Sequence, residues 1–267
     1  MTQLKGAKAV VTGAASGIGR GLCLELQRRG AFIIGLDRNS DGLERLAKDL
    51  GGKLDARSCD LSDLPALEDT AAAIEAEHGR VDVLINNAGV VNGRTLDELS
   101  LEDIERTFRI NTLAPIWLTR CFFPGMLERD HGHVVTVASA AGITATARLS
   151  DYSASKFAAF GFDEALRLEL KRRGSRVRTT VVCPFFVNTG MFDGVRTRWP
   201  RLLPILEPDY LVARIIRAIE RNQPRVVTPR LVYLGWLGRM LPVRCYDWLT
   251  DFFGISRSMD EFRGRGG

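Results

Sequence analysis

Tyr152-Ser153-Ala154-Ser155-Lys156 sets a phenol four residues before an ammonium. Residues four apart share one face of a helix. A phenol with a pKa of about 10 is a poor acid–base group at neutral pH. A nearby ammonium favours the phenolate, so the pair predicts a lowered pKa for Tyr152. Tyr152 could then take a proton from an alcohol or give one to a carbonyl oxygen. Ser139 stands thirteen residues earlier at the end of a strand-like run, where its hydroxyl can hydrogen-bond the same substrate oxygen. A Tyr-x-x-x-Lys pair alone is common. Joined to a strand-end serine behind a nucleotide-binding turn, it is far more specific.

Such a turn is present. Thr12-Gly13-Ala14-Ala15-Ser16-Gly17-Ile18-Gly19 directly follows the first apolar run. Small residues let the backbone pass close to a pyrophosphate at the next helix N-terminus, where free N–H groups and the helix dipole favour negative charge. The Gly-x-x-x-Gly-x-Gly spacing is a variant of the dinucleotide-binding fingerprint. No P-loop lysine pattern and no Gly-x-Ser-x-Gly elbow occur, which excludes those nucleotide and hydrolase chemistries. Asp37 lies 24 residues after Gly13. A carboxylate there accepts from an adenosine ribose and repels a 2′-phosphate, favouring NAD. Arg38 beside it could pair with that phosphate, so NADP stays open as the alternative.

These groups need a scaffold that brings strand ends together. Strand-like runs at Lys8–Thr12, Ala31–Leu36, Lys53–Ser58, Val81–Asn86, His133–Ala138 and Val177–Cys183 alternate with helical stretches. The helices are expected at Gly17 to about Arg29, Ser40–Leu50, Leu64 to Glu77, Leu101 to about Leu127, Asp151–Arg172 and Pro208–Arg221. The rhythm predicts a Rossmann-type α/β fold, a doubly wound parallel sheet covered on both faces. Runs such as Val134–Val137 lack polar alternation, as strands buried on both faces do. Pro115 has no N–H for the Asn111 carbonyl four residues back, so the long helix should kink there, leaving a carbonyl that suits a water. Residues 190–207 read as a small substrate lid, Val226 and Val227 as a last strand, and 225–267 as an apolar, basic arm. The whole chain, 1–267, reads as one domain.

The 267 residues are 45% hydrophobic and 26% charged, which excludes disordered and fibrous classes. The net charge of +5 is too small, without a clustered patch, to argue for nucleic acid. No apolar run approaches the roughly 18 residues of a spanning helix, and no secretory signal is visible. The five cysteines include no Cys-x-x-Cys, so reduced thiols in a cytoplasmic chain are expected, with no zinc site. His131-Gly132-His133 reads as a turn into a strand, and no metal is expected.

Taken together, the glycine turn, Asp60, Asn86-Asn87-Ala88-Gly89, Asn111, Ser139, Tyr152 and Lys156 resemble the short-chain dehydrogenase/reductase family. The resemblance implies a catalytic tetrad of Asn111, Ser139, Tyr152 and Lys156. Tyr152 would be the acid–base and Ser139 would orient the substrate. Lys156 would hold the nicotinamide ribose, and Asn111 would position a relay water. It further implies a cofactor site of Gly13, Ser16, Gly17, Ile18, Gly19, Asp37, Arg38, Asp60, Leu61, Asn87, Ala88, Gly89, Tyr152, Lys156, Pro184, Val187 and Thr189. The family's usual Pro-Gly after the sixth strand is Pro184-Phe185 here, and with Phe186 it suggests an apolar substrate site. Cys183 to Phe192, Leu202-Leu203-Pro204, Arg221 to Arg225 and Ser256 to Asp260 are similar to the branch of retinol dehydrogenases and membrane-associated hydroxysteroid dehydrogenases.

That branch implies hydride transfer between NAD(H) and a lipophilic alcohol or carbonyl: a retinoid, a steroid or a long-chain lipid alcohol. A reductase of small or acyl-carrier-bound ketones is the alternative within the enzymes, and an idle dinucleotide-binding sensor the alternative outside them. Branch members often carry a hydrophobic N-terminal anchor that this sequence does not show. The arm holds seven Arg against four acids, with Trp236, Trp248, Phe252 and Phe253. It suits either peripheral membrane contact or a packed segment over the substrate cleft. The resemblance also implies a homodimer or homotetramer through the helices at Leu101 and Asp151.

Overall fold

The computed structural model describes residues 1–264. Seven parallel strands form one sheet in the order β3-β2-β1-β4-β5-β6-β7. They are β1 (Lys8–Thr12), β2 (Phe32–Asp37), β3 (Leu54–Ser58), β4 (Val83–Asn86), β5 (His133–Val137), β6 (Arg178–Pro184) and β7 (Arg225–Thr228). The order reverses between β1 and β4, which opens a crevice beyond the carboxyl ends of those strands. In register, Thr12 pairs with Leu36, Val11 with Ile85 and Asn86 with Thr136, so the strand ends lie level.

Seven helices accompany these strands: α1 (Gly17–Arg28), α2 (Ser40–Asp49), α3 (Leu64–His78), α4 (Leu101–Phe108), α5 (Ala114–Glu128), α6 (Ser150–Arg172) and α7 (Pro208–Glu220). One core packs Val11, Ile33, Ile85 and Val182 against Leu22 and Leu26 of α1 and Ile215 and Ile219 of α7. The other packs Val10, Ile34, Leu84 and Val134 against Ile74 of α3, Phe122 of α5 and Leu166 of α6. Val10 and Val11 thus feed opposite cores, the two-residue alternation of a strand apolar on both faces.

The helix expected from Leu101 to about Leu127 is interrupted. After α4 the chain widens into a π-helical turn over Arg109–Leu113 before α5. Pro115 cannot supply the N–H that an α-helix needs there, and the Ala114 N–H bonds the Arg109 carbonyl five residues back instead.

Residues 190–207 leave the sheet without a helix or strand, closed at the neck where the Leu206 N–H donates to the Phe186 carbonyl (2.8 Å) and Asn188 to Leu206 (2.9 Å). After β7 come two short helices, α8 (Leu234–Gly238) and α9 (Val243–Phe252). The last three residues of the expected arm, 265–267, lie outside the described residues. Among the described residues no helix is long and apolar enough to cross a membrane.

Candidate active site

The turn after β1 works because of three glycines. Gly13 (φ 66°) and Gly17 (φ 53°) occupy the left-handed region. A Cβ on Gly19 would lie 2.0 Å from the Gly13 carbonyl oxygen, so only glycine lets α1 pass this close. The Thr12 hydroxyl accepts the N–H groups of Asn87 (2.9 Å) and Ala88 (3.0 Å), tying the β4 turn to the end of β1. The Asn87 side chain donates to the Thr12 carbonyl at 2.9 Å. Asp37 is drawn into the same structure: one carboxylate oxygen accepts the Ala15 N–H and the other the Asn39 N–H, both at 3.0 Å.

These turns form a groove of about 780 Å³ along the strand ends. Gly13, Ser16, Gly17, Ile18, Asp37, Arg38, Asp60, Leu61, Asn87, Ala88, Gly89, Tyr152, Lys156, Pro184, Val187 and Thr189 all line it. Gly19 does not; it is buried beneath the turn. Asp60 accepts from the Ser62 N–H and hydroxyl, which hold its carboxyl below the usual range.

Ser139, Tyr152 and Lys156 meet in this groove. The Ser139 hydroxyl accepts the Ala141 N–H at 3.1 Å and is hydrogen-bonded to Tyr152. Lys156 Nζ donates to the Val137 carbonyl at 2.9 Å and lies 5.7 Å from the Tyr152 ring centre. The expected lowering of the Tyr152 pKa is not what this site produces. Burial pushes the phenol up to about 12, against the pull of the Ser139 hydrogen bond. The same burial brings the Lys156 ammonium down to about 8, so desolvation outweighs the proximity of the cation. Asn111 stands apart. It is 1% exposed and does not line the groove. Its amide is tied to both backbone groups of Val90 and to the Ser155 hydroxyl, 3.1 Å away.

A second space of about 480 Å³ joins the groove at Ser139, Tyr152, Phe185 and Phe192. Phe186 lines this chamber, with Leu203 from the 190–207 segment and Leu231, Leu237, Tyr246, Leu249 and Phe253 from the arm. Phe185 and Phe186 stack obliquely at 4.6 Å, and Phe192 meets the Tyr152 ring edge-on at 5.8 Å. The chamber is thus a mostly hydrocarbon space whose polar groups at the junction are the serine and tyrosine hydroxyls.

Residues 7–199 match the model of the short chain dehydrogenase family. The chain belongs to the short-chain dehydrogenases. It is 40% identical over 261 residues to human epidermal retinol dehydrogenase 2, covering 95% of this chain and 84% of that one. It is 38% identical over 289 residues to human retinol dehydrogenase 10, covering 96% and 85%. A Burkholderia phymatum short-chain dehydrogenase/reductase solved with NAD superposes with a TM-score of 0.81 at 27% identity, over 90% of this chain and 95% of that one. A metagenomic short-chain oxidoreductase solved with NADP gives 0.72 at 30%, over 85% and 98%.

In this dehydrogenase the arm is a wall of the chamber, which resolves one part of its reading: α8 and α9 pack over the cleft. Sequence reasoning missed Phe192, Leu237, Tyr246 and Phe262 as lining residues, since no local pattern ties the 190–207 segment or the arm to the ends of β5 and β6. His133 is fully buried between the Thr2 hydroxyl (2.9 Å) and the Thr180 hydroxyl (2.8 Å), and burial drives its pKa down to about 3, so the ring is neutral. Burial also pushes the Cys183 thiol up to about 12, which leaves it unreactive. Asp55, Glu77 and His78 approach one another, but the Arg57 guanidinium is already paired with both acids.

Proposed function

We propose that this oxidoreductase moves a hydride between NAD(H) and a lipophilic alcohol or carbonyl, with a retinoid as the first substrate to test and Tyr152 as acid–base. The observation that carries the reading is the junction: the polar groove and the apolar chamber share Ser139 and Tyr152 and open onto each other there. The glycine turn and the helix N-terminus suit a pyrophosphate, and the strand-end residues suit the rest of a dinucleotide. When bound, the nicotinamide supplies the hydride acceptor or donor. The Ser139 hydroxyl orients the substrate oxygen. Burial keeps the Tyr152 phenol protonated and ready to give that oxygen a proton in reduction, while taking one in oxidation requires the Lys156 charge to offset that burial. Lys156 holds the ribose and keeps positive charge beside the phenol. Asp37 favours NAD, while Arg38 beside it leaves NADP as the second cofactor to assay. Relatives carrying retinol in their names, together with a chamber of phenylalanines and leucines, favour a retinoid over a small ketone.

The test is cofactor absorbance at 340 nm with NAD and NADP in parallel, against retinol, a hydroxysteroid, a long-chain secondary alcohol and a short alcohol. Turnover of the lipophilic set is expected, with Tyr152→Phe reducing it by roughly 10²–10⁴-fold while NADH still binds. Turnover of the short alcohol alone would move the function to a small-ketone reductase. NADH binding without turnover of any substrate would make the protein a sensor.

A membrane partner belongs to the same proposal. Leu234 and Leu237 line the chamber and are also 52% and 62% exposed, beside exposed Met240, Val243 and Trp248. Residues 230–246 contain Arg230, Arg239 and Arg244 and no acid. An apolar rim with arginines suits an anionic bilayer surface from which a lipophile could enter. Co-sedimentation with anionic vesicles at low salt, lost at high salt, is expected; no binding at low salt would end this reading. The homodimer or homotetramer through α4 and α6 is proposed on the family resemblance and is read by light scattering.

A further inference from the structure

Two glycines outside the nucleotide turn leave no room for a side chain, and both face the same stretch of chain. A Cβ on Gly93, in the loop after β4, would lie 2.1 Å from the Phe262 ring. One on Gly194 would lie 2.1 Å from the Glu261 carbonyl oxygen. Both glycines sit in the left-handed region, at φ 68° and 84°. Between them residues 258–263 cross from the 190–207 segment to the β4 loop. The Arg196 N–H donates to the Ser258 carbonyl (3.2 Å) and the Arg263 N–H to the Asp193 carbonyl (2.9 Å). Met259 is fully buried, in a cluster with Tyr152, Phe186 and Val195. Phe262 packs at 6.4 Å against Phe192, the ring that meets Tyr152 edge-on. Phe262 and Arg263 line the dinucleotide groove together with Phe192 and Tyr152.

We propose that residues 258–263 form a strap closing the groove at its reacting end, with Phe262, seated on Gly93, as the positioning residue that slows release of the dinucleotide. The proposal rests on the dinucleotide reading of the groove. The hold is apolar. The Arg196–Glu261 ion pair spans 2.8 Å but both side chains are more than half exposed, and an exposed pair contributes little. Phe262 instead contacts the Gly93 backbone and the Phe192 ring, and aromatic contacts of this kind persist at any ionic strength.

Stopped-flow displacement of NADH from the full chain tests this. Phe262→Ala is expected to speed NADH release about tenfold, the scale of one lost aromatic contact. Gly93→Ala, which unseats the ring from the other side, should give the same acceleration, and the double variant no further increase, because the two changes break one contact. Glu261→Gln should keep release close to wild type. Unchanged release in both Phe262→Ala and Gly93→Ala would overturn the strap, as would additive effects in the double variant. A wild-type chain that binds neither NADH nor NADPH would overturn the dinucleotide reading and the strap with it. Binding with unaltered release rates would sink the strap alone.

Discussion

Asn111 and Val90 are joined twice. The Val90 N–H donates to Asn111 Oδ1 at 2.8 Å, and Asn111 Nδ2 donates back to the Val90 carbonyl at 2.9 Å. A side-chain amide on a π-helical turn thereby replaces a neighbouring strand for the loop after β4. This loop carries Asn87 to Gly89 into the groove, so Asn111 shapes the site from behind its wall.

Asn111→Ala should therefore damage the fold as well as activity. It removes the partners of the half-buried Val90 N–H and carbonyl, a loss of about 1–3 kcal/mol. Urea denaturation should show it even without cofactor. A variant with wild-type stability and no turnover would assign Asn111 a purely chemical role.

Asp37 serves two purposes that a pair of substitutions separates. Its carboxylate holds the Ala15 and Asn39 N–H groups and presents negative charge to the groove. Asp37→Asn keeps one acceptor and removes the charge, so preference for NAD over NADP in kcat/KM should fall by about tenfold. Asp37→Ala also frees the glycine turn and should raise KM for both cofactors. Unchanged preference in Asp37→Asn would transfer cofactor choice to other groups.

Asp163, on α6, is nearly fully buried, and that burial pushes its carboxyl up to about 7. Unfolded, it titrates at its ordinary value of 3.8. Between those values the folded chain holds a proton that the unfolded chain has lost, so stability contributed at this site falls as pH rises towards 7. Asp163→Asn should thus be close to wild type in stability at pH 4 and about 2–4 kcal/mol more stable at pH 8. Equal unfolding midpoints of the two proteins at pH 8 would contradict this.

Gly235 sets α8 against Thr144: a Cβ there would lie 2.3 Å from the Thr144 hydroxyl oxygen. Gly235→Val must push α8 away and reshape the chamber. The expected result is a drop of about tenfold in kcat/KM for a long lipophilic alcohol, with a short alcohol changed by less than about twofold. Equal losses for both substrates would place the damage at the junction with the groove.

How much of this could be read before folding depends on how each part is built. Gly13, Asp37, Asn87, Ser139 and Pro184 are far apart in the chain, yet each lies at or just after the carboxyl end of a strand. A parallel sheet brings all such ends to one edge, so alternating apolar runs and helices were enough to assemble the groove's lining. The interruption near Asn111 was legible too, because it follows from one missing N–H on Pro115.

What the tertiary structure alone decided is everything that depends on non-local packing. The dryness around Tyr152 comes from Phe186, Phe192 and Met259, three segments away from its own helix, and it reverses the pKa shift that the local Tyr–Lys spacing implied. The chamber's walls from α8 and α9, and the seat of Phe262 on Gly93, follow no sequence period. Local patterns encode backbone turns and helix faces, whose geometry is set by neighbours in the chain. Desolvation and shape complementarity are set by whatever side chains the completed fold brings alongside, and that information exists only once the arm has docked.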